Sequence, residues 1–334
     1  MADRHLMSVG VNYAWKNYGW DFGPAPSPAG GAPWGQAAAW RATIDADLRR
    51  FKELGLFCVR WFLLGDGLSY GQGPLAPRPD GDTWRFDDPP PLHPDFVADF
   101  SDLLARVRAA GLLLLPSLVD FHLAYPGMPL PGGLVKQGRH DLFIDPSKRQ
   151  RFFDHALQPL LRAAQAQADA IYAFEIMNEP EWCTKNSGTG QEYFNANKTV
   201  PEGAMQAFLR EGLGRINAAG LRSTVGLAAH GTLSRWPDLG ATLHQFHYYG
   251  EPAVVPPHRF DPRWPAIVGE IATSGLKPWS ELPPDQDVYQ RLRHLEGKGY
   301  PVTLLWASGC GDRDPAVDFS PAVQAQVRRY TSGQ

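Results

Sequence analysis

Two glutamates at the ends of apolar runs are the residues of this sequence best suited to chemistry. Residues 171–177 are mostly apolar and are followed at once by Asn178 and Glu179. A second run, residues 264–269, ends in the same way at Glu270. An apolar run that ends in polar residues is typical of a buried parallel strand that brings a side chain to the rim of a sheet. Two carboxyl groups held in this way suggest glycoside hydrolysis, with one as acid/base and the other as nucleophile.

The elements that must position these glutamates alternate between strand and helix. We predict eight strands, at residues 7–11, 57–63, 112–121, 171–177, 224–228, 243–248, 266–269 and 302–306. Apolar residues at helical spacing and end signals predict helices at residues 40–54, 96–110, 145–168, 202–219, 233–239, 285–298 and 321–330. This alternation, without a linker, predicts a single (β/α)8 barrel in which residues 1–334 form one catalytic domain. Its loops after strands one to four are long.

The helix count leaves a second architecture open. Residues 250–264, after strand six, do not look helical. The alternative is an open doubly wound sheet, which normally carries a glycine-rich turn after its first strand. Since the chain lacks that turn, we favour the barrel and do not expect a dinucleotide cofactor.

The predicted strand ends deliver residues with chemical uses, and in a barrel catalysis occurs at the C-terminal ends of the strands. In chain order these residues are Arg60, His122, Asn178, Glu179, His247, Tyr249, Glu270 and Trp306.

This ordered set resembles glycoside hydrolase family five, a cellulase-like family in the clan of retaining (β/α)8 glycosidases. The family pattern has Arg after strand two, His after strand three and Asn-Glu after strand four. It continues with His-x-Tyr after strand six, Glu after strand seven and Trp after strand eight. The resemblance covers about residues 7–310. It implies a retaining β-glycosidase that hydrolyses β-linked gluco- or manno-configured saccharides by double displacement.

The resemblance and the chemistry assign the same roles to the two carboxyl groups. Glu179 would be the acid/base, with its pKa raised by partial burial and by the nearby charge of Glu270. Glu270 would be the nucleophile, held ionised by Arg60 and by the Tyr249 hydroxyl. We expect the two carboxyl groups about 5–5.5 Å apart, as in retaining enzymes.

The other strand-end residues would support these two. Asn178 would bond the sugar 2-hydroxyl, and His122 and His247 would line the site. Trp306 would offer an apolar face to the sugar ring. The two histidines could instead be hydrogen-bonded core residues.

Four residues of the loops are further candidates for substrate contact. Trp15 and Trp20 could stack on sugar rings, Asn12 could add a polar contact, and Trp182 follows the acid/base closely. The first-loop aromatics could also form a hydrophobic cluster over the end of the barrel.

Composition and spacing argue against several other partners. The net charge of −3 gives no reason to expect nucleic acid or an anionic membrane. No apolar run approaches the ~18 residues of a membrane span, and no secretory signal begins the chain. The protein is therefore expected to be cytoplasmic, or secreted with its signal removed. His244 and His247 have metal-like spacing but point to opposite faces of a strand, so neither metal nor cofactor is predicted.

Two alternatives to the hydrolase remain. A transglycosylase would use the same catalytic pair. A non-catalytic carbohydrate-binding barrel would bind the sugar without cleaving it. Either would bind an oligo- or polysaccharide, and the oligomeric state is open.

Overall fold

The structure, a computed structural model, describes residues 7–17, 21–24, 38–68, 70, 75, 78–80, 83–130, 135–187, 195–249, 257, 266–273, 284–308 and 319–333.

Eight parallel strands form one sheet. They are β1 (Ser8–Asn12), β2 (Cys58–Phe62), β3 (Leu113–Asp120), β4 (Phe174–Asn178), β5 (Ser223–Gly226), β6 (His244–His247), β7 (Ala266–Ala272) and β8 (Val302–Trp306). Neighbours in the sheet follow the order of the chain, and β1 also pairs with β8. Leu227 and Phe246 form a parallel bridge between the ends of β5 and β6. The bridge closes the sheet, which confirms the predicted (β/α)8 barrel.

The helices connect the strands. The longer ones are α1 (Ala38–Glu53), α2 (Pro94–Ala109), α3 (Pro146–Phe152, a π-helical turn Phe153–Leu157, and Gln158–Gln165), α4 (Glu202–Ala218), α5 (His230–Arg235), α6 (Pro284–Gly297) and α7 (Pro321–Thr331). Shorter helical turns span Phe121–Ala124, Asp141–Ile144, Ala168–Ala170, Pro180–Trp182 and Asn195–Asn197. Two small antiparallel pairs, Arg78–Asp80 with Thr83–Arg85 and Met128–Pro129 with Val135–Lys136, lie in the loops after β2 and β3. The connections after β1 to β4 are therefore long, as predicted.

The segment between β6 and β7 is described only at residues 248, 249 and 257. The predicted lack of a helix there concerns residues 250–264, most of which lie outside the described residues. The part of the chain that the structure describes contains no helix long and apolar enough to cross a membrane.

Helix α2 shows how the local sequence sets the ends of these elements. Pro94 occupies its first turn, where a missing N–H costs nothing, and the His93 ring accepts a hydrogen bond from the Asp95 N–H. The helix stops before Gly111, whose φ of 71° is easy for glycine. Between these ends one face is buried, including Phe96 and Phe100. Capping and helical spacing thus fix the length of α2 and the side that packs on the barrel.

The barrel interior changes character from bottom to top. Its lower layer is an apolar cluster of Cys58, Leu115, Ala173, Leu243, Ile267, Val302 and Leu304. Two residues further along β2, β3, β4 and β6 the interior becomes polar, with Arg60, Ser117, Glu175 and Gln245. The apolar layer closes one end, so polar chemistry is confined to the end where the strands finish.

Candidate active site

A cavity of about 550 Å³ opens over the carboxyl ends of the strands. Most of the predicted site residues line it. The lining is Trp15, Phe62, Leu63, Gly65, Asp66, Asp120, Phe121, His122, Asn178, Glu179, Trp182, Ala228, Tyr249, Glu270 and Trp306.

Glu179 follows β4 in a left-handed backbone conformation, with φ 43° and ψ 53°. This conformation is costly for a residue other than glycine, and the Glu179 N–H, which donates to the Gly226 carbonyl at 2.6 Å, helps to hold it. The carboxylate receives the Trp182 indole N–H on Oε2 at 2.8 Å. His247 Nδ1 lies 2.7 Å from Oε1. The turn therefore aims the carboxyl group into the cavity, where two uncharged ring systems contact it.

Glu270 lies on β7 and has a different set of partners. Arg60 Nη1 donates to its Oε1 at 2.7 Å, and the Tyr249 hydroxyl donates to its Oε2 at 2.5 Å. His247 Nδ1 lies 3.4 Å from Oε1. A guanidinium and a phenol thus hold this carboxylate in place.

The two carboxyl groups lie close together. One ligand atom from each of Glu179, His247 and Glu270 lies within 4.8 Å of the others. One oxygen of Glu179 therefore lies within 4.8 Å of an oxygen of Glu270, which is compatible with the ~5–5.5 Å between the carboxyl groups of retaining glycosidases.

The same three side chains are the described residues that could share a metal ion. The Arg60 cation already lies 2.7 Å from a Glu270 oxygen in this set and would repel a divalent cation. The donor set therefore fits proton transfer better than metal binding.

Burial shifts the ionisation of all three groups. It raises the pKa of Glu179 to about 7, and the charge of Asp120 adds to this effect. The neighbouring charge that contributes most is thus Asp120, where we expected Glu270. Burial also raises the pKa of Glu270, although His247 and Arg60 act against it. Burial lowers the pKa of His247 to about 4, so its ring is neutral near pH 7.

A hydrogen-bonded chain links Asn178 to His122. Asp120 Oδ2 accepts from Asn178 Nδ2 at 2.7 Å, and Oδ1 accepts from the His122 backbone N–H at 2.9 Å and contacts its ring Nδ1. Although burial opposes both changes, the contact lowers the pKa of Asp120 and raises that of His122. Asn178 Oδ1 accepts from Arg60 at 2.6 Å, so protein groups already fix its amide.

Three aromatic rings stand together at one side of the cavity. The Trp15, Phe62 and Trp306 rings have centroids 5.8–6.5 Å apart. Trp15, Trp306 and Trp182 all line the cavity, and their contact with substrate remains a prediction.

Asn12, predicted to contact substrate, is not among the residues that line the cavity. The side chain is fully buried on β1, its Nδ2 donates to the Gly269 and Leu305 carbonyls, and its Oδ1 accepts from Arg60. Because Asn12 ends a strand inside the closed barrel, it lies beneath the cavity and supports Arg60. Trp20 lies outside the described residues.

Sequence reasoning overlooked Asp120, Phe62 and Glu175 as parts of the site. Asp120 is a charge at the end of an apolar strand, and Glu175 is a charge within an otherwise apolar strand. Both signals were available. Phe62 is an apolar residue in an apolar strand, so only the structure separates it from the core.

Comparisons with known proteins find relatives that act on mannan or mannosides. A search against models of known protein families finds no match. A curated relative, mannan endo-1,4-beta-mannosidase of Mytilus edulis, is 26% identical over 181 residues, 53% of this chain. The match spans 40% of that relative's own length.

Solved structures share the fold over nearly the whole chain. Endo-1,4-beta-mannanase from Eisenia fetida has a TM-score of 0.71 and 22% identity, covering 100% of this chain and 93% of that one. A glycoside hydrolase family 5 mannosidase from Rhizomucor miehei has a TM-score of 0.54 and 11% identity, covering 99% and 94%. At these identities the solved structures show that the barrel fold is shared, and the assignment to glycoside hydrolase family five remains a prediction.

Proposed function

We propose that this family-five-type barrel is a retaining β-glycosidase in which Glu179 is the acid/base and Glu270 the nucleophile. The observation that carries the proposal is the short separation of the two carboxyl groups, whose nearest ligand atoms lie within 4.8 Å of each other. A retaining enzyme needs this spacing because its nucleophile attacks the sugar directly, whereas an inverting enzyme must leave room for a water molecule.

In the first step, protonated Glu179 donates its proton to the oxygen of the leaving group as Glu270 attacks the anomeric carbon. The glycosidic bond breaks and a covalent glycosyl-enzyme forms with inverted configuration. In the second step, ionised Glu179 takes a proton from water, which displaces Glu270 and restores the original configuration. His247, neutral near pH 7, lies close enough to contact both carboxylates throughout.

The surroundings of the two carboxyl groups support this division of roles. Glu270 contacts a cation and a hydroxyl donor, which favour the ionised form that a nucleophile needs. Glu179 contacts neutral rings, and burial raises its pKa to about 7, which suits a group that must give and take a proton.

We propose β-linked manno-configured saccharides as substrates, because the relatives named above are mannanases and a mannosidase. A cavity of about 550 Å³ accommodates a short stretch of sugar rings, and Trp306, Trp15 and Phe62 offer apolar surfaces to them. The sequence also allowed gluco-configured saccharides, so the test below compares the rates on the two kinds of substrate. We also propose that residues 1–334 act as one catalytic domain.

The test is hydrolysis of manno- and gluco-oligosaccharides and the matching aryl β-glycosides by the wild type, Glu179→Gln and Glu270→Gln. We expect turnover of the manno series, with initial products of retained configuration by proton NMR. Each variant should lose at least about 10²–10⁴-fold in kcat/KM on the oligosaccharides.

Three other results would count against hydrolysis by this pair. Glycosyl transfer to an added acceptor sugar in preference to water would identify a transglycosylase. Sugar binding without turnover by the wild type would indicate a carbohydrate-binding barrel. Inverted products would exclude double displacement.

A further inference from the structure

A third carboxylate, Glu175, lies inside the barrel beneath the catalytic pair. Its side chain is completely buried on β4. Arg60 donates to it twice, from Nε to Oε2 at 2.8 Å and from Nη2 to Oε1 at 2.6 Å. The Ser117 hydroxyl and Gln245 Nε2 donate to it at 2.7 Å and 2.6 Å. Four donors around one carboxyl group are what an ionised carboxylate requires.

Neighbouring strands carry glycines where this network needs room. A Cβ at Gly226 on β5 would lie 2.9 Å from Glu175 Oε1 and 3.0 Å from Arg60 Nη2. A Cβ at Gly269 on β7 would lie 2.6 Å from Gln245 Nε2. Any larger residue at these positions would displace the network, so the backbone is shaped around it.

The Arg60 cation is shared between two carboxylates. Its Nε and Nη2 are held by Glu175, and this leaves Nη1 directed at Glu270, 2.7 Å away. Arg60 has other acceptors in Asn12 and Asn178, but Glu175 engages two nitrogens of the guanidinium with one carboxylate, which is the contact best suited to fix its plane.

Building on the proposed function, we propose that Glu175 is a positioning residue for the catalytic pair. It holds the Arg60 guanidinium in the orientation that reaches Glu270, and its negative charge offsets the Arg60 cation so that Glu179 keeps its proton.

The second half of this proposal depends on all the charged and titratable groups near Glu179. Arg60 comes from β2, Asp120 from β3, Glu175 from β4, His247 from β6, Tyr249 from the segment after β6, and Glu270 from β7. Glu181, two residues beyond Glu179, and Tyr125, in the segment after β3, also interact with its charge. His247 and Tyr249 are uncharged near pH 7, because burial lowers the pKa of the first and raises that of the second. The charges of Asp120 and Glu175 raise the pKa of Glu179, and the charge of Arg60 lowers it. Without the Glu175 charge, the effect of Arg60 would grow.

Three variants separate the charge of Glu175 from its shape. Glu175→Gln removes the charge and keeps the size, Glu175→Asp keeps the charge and shortens the side chain, and Ser117→Ala removes one hydrogen bond without changing the charge.

The pH dependence of kcat/KM has an acid limb from Glu270 and an alkaline limb from Glu179. We expect Glu175→Gln to move both limbs to lower pH by about one pH unit, since removing a nearby negative charge favours both ionised carboxylates.

Ser117→Ala should leave both limbs in place, and Glu175→Asp, which keeps the negative charge, should leave the alkaline limb of Glu179 in place. Glu175→Asp should lower kcat by about 10-fold because the Arg60 plane is no longer held, as expected when positioning is lost. Limbs that stay in place in a folded Glu175→Gln protein would overturn the proposal. An alkaline limb that moves as far in Ser117→Ala or Glu175→Asp would also overturn it, because the effect would then be structural. If Glu175→Gln does not fold, Glu175→Asp still tests the positioning of Arg60, and a kcat equal to that of the wild type would overturn it.

A second readout does not depend on turnover. Carbon-13 NMR of glutamate labelled at the side-chain carboxyl carbon follows the titration of Glu179, assigned by the signal lost in Glu179→Gln. The pH at the midpoint of the Glu179 titration should be lower in Glu175→Gln than in the wild type, and it should be unchanged in Ser117→Ala. A wild type with no glycosidase activity would refute the proposed function, while an unmoved midpoint would refute the role of Glu175.

Discussion

Glu179 and Glu270 are the same residue type, and their immediate neighbours give them different properties. A guanidinium and a phenol contact Glu270, whereas an indole and a neutral imidazole contact Glu179. Because a cation favours the ionised form much more than a neutral donor does, the two groups can hold different protonation states at one pH. Their macroscopic pKa values belong to the coupled pair.

At the residue scale, the Trp182 hydrogen bond affects the pH above which activity falls. Its indole N–H bonds the ionised Glu179 carboxylate and so lowers the pKa of Glu179, which burial raises to about 7. Wild-type kcat/KM should therefore fall as the pH rises through about 7, where Glu179 loses its proton. In Trp182→Phe this alkaline limb should move to higher pH by about half a unit, the equivalent of one hydrogen bond.

Trp236→Phe is the matched control for this measurement. Trp236 also donates its indole N–H to a carboxylate, Glu202 Oε1 at 2.6 Å, but it does not line the cavity. Its substitution should leave the limb unmoved. A limb that moves to lower pH in Trp182→Phe would contradict the assigned hydrogen bond.

At the scale of elements, β4 matters most because it carries Glu175 inward and Asn178 and Glu179 to the rim. Its register with β5 shifts between Glu175 and Asn178, and that of β6 with β7 shifts between Phe246 and His247. Such irregularities re-aim the side chains that follow them. Both occur just below site residues, so they help to turn Glu179 into the cavity and His247 towards Glu179.

Helix α4 holds β4 from outside through a close glycine contact. A Cβ at Gly212 would lie 2.5 Å from Ile176 Cγ1 and Cδ1. Gly212→Ala should therefore lower stability by about 1–2 kcal/mol, because overpacking a buried site outweighs the gain in helix propensity. Thermal unfolding followed by circular dichroism measures the change.

Gly214→Ala provides the control within the same helix. A Cβ at Gly214 would have no atom of the described residues within 4 Å beyond its own helix, so only the helix propensity changes. This variant should raise stability by up to about 1 kcal/mol. Equal effects of the two substitutions would show that α4 does not press closely on β4.

At the scale of the whole molecule, stability depends on pH through buried carboxyl groups. Glu181 is fully buried, accepts the Ala228 N–H at 2.9 and 3.0 Å, and has its pKa raised to about 7 by burial. The folded state therefore holds this proton to higher pH than the unfolded state does. The resulting stability is present below the ordinary Glu pKa and is lost as the pH rises to about 7.

Glu181→Gln should remove this dependence. Between about pH 5 and 7 the wild type should lose about 1 kcal/mol per pH unit relative to the variant, or about 1–2 °C in Tm. Scanning calorimetry at several pH values measures the difference. Glu53→Gln, at an exposed position on α1, should give a curve parallel to that of the wild type. A Glu181→Gln curve that is also parallel would contradict the buried, protonated carboxyl group.

Much of the barrel and most of the site could be predicted from the sequence, because both depend on local patterns. Apolar runs and glycine stops located the eight strands to within a few residues, and strand ends in a parallel barrel must share one rim. That geometric rule was enough to bring Glu179, Glu270 and His247 together. The roles given to them, and the single domain, remain predictions.

The tertiary structure decided what depends on contacts between distant strands. It placed Asn12 beneath the cavity, identified Asp120 as the charge with the largest effect on the pKa of Glu179, and joined Glu175 to Arg60 across the barrel. No local pattern encodes these contacts, because each joins residues far apart in the chain and depends on strand register. The sequence by itself therefore determined which residues reach the rim. Closure of the barrel decided which of them are in contact and how burial shifts the pKa of each one.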